Sequence, residues 1–102
     1  MIYREIEKAL CENLELVLNA AGLNQSTLAE YLDVTRQCVN HWSRGKVRMS
    51  RANLLAIILV LKRRYEYLDE MRQNVLRMVL AVGPGKNCIL DLSYEELAEL
   101  FL

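Results

Sequence analysis

The sequence predicts an all-α fold, and three observations predict it. Only four Gly and one Pro occur in 102 residues, too few turn formers for a β-sandwich, which needs a turn about every 8–12 positions. Apolar residues recur at three- and four-residue steps along most of the chain, the helical period. Ser, Thr or Asn stands ahead of several of those runs, where a helix start needs a side-chain acceptor. With 53% apolar and 25% charged residues the composition is that of a folded chain of one domain's size.

Taken in order, the first helix is marked by Ile6, Leu10, Leu14, Val17, Leu18 and Ala21, and Gly22 ends it. Asn24 caps a second, short helix over 25–32, with Leu28, Ala29 and Leu32 inward. Asp33-Val34 makes a turn. Thr35 caps a third helix over 36–43, with Val39 and Trp42 inward, and Gly45 ends it. Ser50 caps a fourth over 51–63. Its Leu54, Leu55, Ile57, Ile58 and Leu61 cover too wide an arc for a surface helix, so it is expected at the core.

A fifth helix is expected over 65–82, where Leu68, Met71, Val75, Met78 and Val82 step by three and four in an a/d seam. Two heptads exclude a long coiled coil but suit a helix pairing about a two-fold axis. Gly83-Pro84-Gly85 breaks the chain. Residues 87–92, NCILDL, alternate in part between turn residues and fit a short strand. Ser93 and Glu96 form a capping box that opens a terminal helix over 93–101, with Leu92 placed to staple onto Leu97.

Several function classes are excluded early. The longest apolar run, Leu54 to Leu61, is far short of the ~20 residues of a membrane span. The start, MIYREIEKAL, lacks the apolar stretch of an export signal. Cys11, Cys38 and Cys88 are odd in number and far apart. They fit buried free thiols in a reducing cytoplasm, with neither disulfide nor metal site expected. One histidine, no Gly-rich phosphate loop and no paired carboxylates in a pocket leave nothing to carry catalysis, so neither enzyme activity nor a cofactor is expected.

Charge is balanced overall but unevenly placed. Residues 34–65 hold Arg36, Arg44, Lys46, Arg48, Arg51, Lys62, Arg63 and Arg64 with no acid, while the segments on either side are each net negative. An acid-free basic block of this length suggests a footprint for a polyanion. The second and third helices, joined by a tight turn, describe a helix-turn-helix. The third leaves Arg36, Gln37, Asn40 and His41 on its outer face. Arg can donate twice to guanine, and Asn or Gln can pair with adenine.

The stretch Ala21 to Lys46, AGLNQSTLAEYLDVTRQCVNHWSRGK, resembles the Xre-type helix-turn-helix family, the fold of the lambdoid phage repressors and Cro proteins. Gly22, Leu23, Gln25, Leu28, Ala29, Leu32, Val34, Thr35, Val39, Trp42 and Gly45 fit its spaced pattern, and with the flanking helices the likeness covers about residues 5–62. Asp33 stands where the family usually has Gly, Asn24 where it has Ser or Thr, and Ser43 where Glu is common.

The resemblance implies a five-helix, lambda-repressor-like DNA-binding domain over 1–64. The a/d seam beyond it makes 65–102 a helical extension expected to dimerise through Leu68, Met71, Val75, Met78 and Val82. The resemblance also implies that Arg36, Gln37, Asn40 and His41 read bases, and that Gln25, Thr35, Arg44, Lys46, Arg48 and Arg51 contact phosphate. Arg51 has an alternative in the minor groove, and Gln25 in a hydrogen bond within the motif. Trp42 is core rather than a stacking platform, and Cys38 a small filler. The expected function is a cytoplasmic regulator, of phage, mobile-element or bacterial origin, binding a palindromic DNA operator as a homodimer. The alternative is a helix-turn-helix scaffold of antitoxin or anti-CRISPR type that binds a protein through its acidic, apolar tail, Leu92 to Leu102.

Overall fold

Seven α-helices and two 3-10 turns follow one another in the computed structural model, which describes residues 2–102 and has no strand among them. The helices are α1 (Ile2–Glu12), α2 (Leu14–Ala20), α3 (Gln25–Leu32), α4 (Arg36–Ser43), α5 (Arg51–Tyr65), α6 (Glu70–Val79) and α7 (Tyr94–Phe101). Their starts follow the side-chain caps. Asn24 accepts from the Thr27 N–H at 2.8 Å, Thr35 from the Cys38 N–H at 3.1 Å and Ser50 from the Asn53 N–H at 3.1 Å. Ser93 and Glu96 satisfy each other's backbone N–H groups as a full capping box.

Three helix ends close in the same way. A residue in the left-handed region lets the following N–H reach back five residues to a carbonyl. Gly22 (φ 72°), Asp33 (φ 56°) and Gly45 (φ 69°) take that conformation. The matching bonds run from Leu23 to Leu18, from Val34 to Ala29 and from Lys46 to His41, at 2.8, 3.0 and 3.0 Å. Asp33 thus performs the turn between α3 and α4 without glycine.

The structure corrects three sequence expectations. The first helix is two: Asn13 leaves helical geometry (φ −120°, ψ 23°), and its side chain donates back to the Ala9 carbonyl at 2.8 Å. Asn competes with the helical ladder in this way, and no break in apolar period marks it. The expected helix over 65–82 is shorter. Tyr65 still belongs to α5, Asp69 caps α6 by accepting from the Arg72 N–H at 2.9 Å, and α6 stops at Val79. The strand expected over 87–92 is instead a 3-10 turn, Ile89–Asp91, preceded by another at Pro84–Lys86. The segment's apolar residues all turn into the core: Cys88, Ile89, Leu90 and Leu92 are buried. Gly83 is needed at the entry to this loop, because a Cβ there would lie 2.8 Å from the Asn87 carbonyl oxygen.

One core runs through both ends of the chain. Ile6, Leu10, Leu18, Leu28, Trp42, Ile57 and Leu61 share it with Leu76, Leu80, Ile89, Leu97 and Phe101. The radius of gyration, 12.5 Å, is close to the ~13 Å of a compact 100-residue domain, so the last third does not project as an arm. Lys62 fastens it: buried at 9% exposure, its ammonium donates to the Leu90 carbonyl at 3.0 Å and lies 5.1 Å from the Tyr94 ring centre. Burying an ammonium is tolerable only with such partners. No helix among the described residues is long and apolar enough to cross a membrane.

Candidate nucleic-acid interface

Helix α3 is held by Leu28 and Ala29, and α4 by Val39 and Trp42, all buried. With both inward faces used, the remaining face of α4 turns outward. Arg36 and Gln37 are exposed on its first turn, and Asn40 and His41 are half-buried one turn on. The four residues expected to read bases therefore share one helix face. Cys38 is half-buried beside them.

The expected phosphate contacts surround that face unequally. Arg44, Lys46 and Arg48 are exposed in the segment after α4. The only ion pair among the described residues joins Arg72 to Asp69, so these cations hold no carboxylate. Thr35 is exposed but spends its hydroxyl on the α4 cap. Arg51 stacks its guanidinium 4.3 Å from the ring centre of Tyr3, which draws it toward α1. Gln25 is only 8% exposed. Its amide nitrogen donates to the Glu15 carboxylate, and its oxygen accepts from the Asn40 amide at 3.4 Å.

Two of the three remaining cations of the basic block are used inside the fold. Arg64 donates from Nε to the Ala21 carbonyl at 2.7 Å and from its terminal nitrogen to the Gly22 carbonyl at 3.3 Å. It thereby satisfies the carbonyl end of α2, where cations also suit the helix dipole. Lys62 joins Leu90, as described. Arg63 alone of the three is exposed.

Two residues that sequence reasoning passed over shape the surface. Glu7 on α1 accepts the Met49 N–H at 2.9 Å and so pins the loop that carries Lys46 and Arg48. Glu15 anchors Gln25. Both looked like ordinary solvent-facing acids of an amphipathic helix, and no spacing signal distinguishes them. Cys11 lines a groove of about 350 Å³ between α1 and this loop, with Arg4, Lys8, Trp42, Val47 and Arg48. Burial, then the Glu7 charge, pushes its thiol up to about 11, which keeps it protonated and unreactive near neutral pH.

The residues expected to form a seam are divided. Leu68, Val75 and Val82 pack partly against the core, whereas Met71 and Met78 are 78% and 81% exposed on α6. The fully buried residue of α6 is Leu76, outside the expected seam. In the tail, Leu97 and Phe101 are buried in the chain's own core, which leaves Tyr94 and Leu102 as its exposed large apolar residues.

In comparison with known proteins, the chain matches no family model, no curated protein and no solved structure.

Proposed function

We propose that the chain is a sequence-specific DNA-binding regulator of helix-turn-helix type, a repressor of phage, mobile-element or bacterial origin. Helix α4 is the recognition helix in this reading. Arg36, Gln37, Asn40 and His41 meet base edges in the major groove. Arg44, Lys46 and Arg48 meet the flanking phosphates, with Gln25, Thr35 and Arg51 at the margin. The observation that carries the reading is the pairing of these two sets. A helix with an outward polar face is followed directly by three exposed cations that no carboxylate neutralises. Phosphate contacts of that kind position a protein, and the helix face then specifies the sequence.

A short α4 reads few base pairs, so two copies on a palindrome supply the specificity. We assign the pairing surface to the outer face of α6, where Met71 and Met78 lie exposed without a partner in the chain. Met78→Asp is expected to leave stability within about 0.5 kcal/mol, as surface changes do, while converting dimer to monomer in sedimentation. A parent that sediments as a monomer at tens of micromolar and binds its full palindrome without cooperativity would remove the dimer from the reading. The DNA reading itself is tested by shifting, in a gel, an inverted repeat from the DNA neighbouring the gene. Arg36→Ala is expected to weaken that complex by about 1–3 kcal/mol. Unchanged binding by Arg36→Ala would show that α4 is not the reading surface.

A further inference from the structure

We propose that Glu15, Gln25 and Asn40 form a polarised amide relay that fixes which atoms Asn40 offers to a base pair, and that this selects adenine. The inference rests on the DNA-binding reading above and names what one residue of that surface recognises. An amide side chain can turn either its oxygen or its nitrogen toward a partner, and only the partners decide which. Here the decision is made at the far end. A carboxylate accepts and cannot donate. Gln25 therefore directs its nitrogen to Glu15 and its oxygen to α4. Asn40 must answer that oxygen with one N–H, which it does at 3.4 Å. Its Oδ1 and its second N–H stay outside the relay.

Those two remaining atoms form an acceptor beside a donor. In the major groove, adenine presents the matching pair, the N6 amino donor beside the N7 acceptor. Cytosine presents only a donor there, guanine only acceptors at O6 and N7, and thymine an acceptor and a methyl group. An Asn40 held in the opposite sense would turn its oxygen inward and have donors alone to offer, which suits guanine. The charge on Glu15, in the N-terminal turn of α2 and not on the recognition helix, thus sets the base preference at one step removed. Gln25 is the positioning residue between them, held by its burial.

The experiment is a binding-site selection from random duplex DNA with the full chain, repeated with Asn40→Ala and Glu15→Gln. Asn40→Ala identifies the base pair, as the position whose preference it flattens. At that pair the parent is expected to favour adenine by about tenfold, the scale of one good amide–adenine pairing. Glu15→Gln can donate as well as accept, so it frees the relay to run either way. It is expected to reduce the preference to about threefold or less at that pair alone. Affinity for random duplex should hold or rise, because a negative charge has left the DNA side. If Glu15 acted only as a repelling charge, Glu15→Gln would strengthen binding to all sequences and leave the preference intact. That result overturns the relay while the DNA-binding reading stands. So does a parent preference for another base at that pair, or an Asn40→Ala profile identical to the parent's. A parent that selects no sequence at all overturns the DNA-binding reading, and the relay's role falls with it.

Discussion

Arg48 and Arg64 stand 16 positions apart in one acid-free basic block, yet they are placed in opposite ways. Arg64 lays its guanidinium on the carbonyls of Ala21 and Gly22, while Arg48 stands exposed in a loop with no carboxylate partner. Lys62 sides with Arg64, and Arg36, Arg44 and Lys46 with Arg48. A guanidinium or ammonium that satisfies backbone carbonyls of the fold is structural, however basic its neighbourhood reads. Counting cations along a chain therefore overstates the charge available to a polyanion. The surface near α4 is made of what the fold leaves unspent.

The sharpest challenge to this division lies in α6. Leu76→Ala removes a fully buried side chain and is expected to cost about 2–5 kcal/mol in urea unfolding. A loss below about 1 kcal/mol would mean that the last third is not part of the core. Next come the structural cations. Lys62→Met leaves the Leu90 carbonyl without its donor, and Arg64→Ala opens the end of α2. Each is expected to cost about 1–3 kcal/mol of stability, with little change in the salt dependence of DNA binding. Arg44→Ala and Arg48→Ala should do the reverse. Stability is expected to stay within about 0.5 kcal/mol, while binding to all sequences weakens. If Arg48→Ala destabilised the chain as much as Arg64→Ala does, the two ends of the block would not differ as described.

The smallest effect concerns α7. Hydrogen bonds from Ser93, first from its backbone N–H and then from its hydroxyl, hold the exposed Glu96 carboxyl below its ordinary 4.5. A carboxyl lowered in the folded state stabilises above its ordinary value and loses that contribution as pH falls through the folded one. Glu96→Gln is therefore expected to flatten the decline of Tm as pH falls below about 5. A parent and variant that decline in parallel would show that the charge on Glu96 contributes nothing to the pH dependence of stability.

Much of this fold is legible in the sequence because its helix starts are capped locally. Asn24, Thr35, Ser50 and Ser93 each act within three residues, so α3, α4, α5 and α7 begin where the pattern places them. The misread boundaries depend on partners elsewhere. The period of three and four continues across the Asp69 cap, since Leu68 and Met71 keep step on either side of it. An alternating hexapeptide does not distinguish a strand from a 3-10 turn buried by α5. On α4, Arg36 and Gln37 are legible as outward because Val39 and Trp42 fix the inward face. The involvement of Glu7, Glu15 and Tyr3 is not, since each meets its partner only once α1 and α2 pack beside α3 and the segment around Met49 and Arg51.

The most direct test measures binding to duplex DNA by fluorescence anisotropy at several salt concentrations, for the parent and for the triple variant Arg44→Ala/Lys46→Ala/Arg48→Ala. Each phosphate contact contributes about 0.9 to the slope of log affinity against log salt. The parent is expected to bind with a steep negative slope. The triple variant should fold normally and lose about 2–3 from that slope. A parent that does not bind duplex DNA at about 50 mM salt, or a triple variant with the parent's slope, would contradict the assignment of this surface.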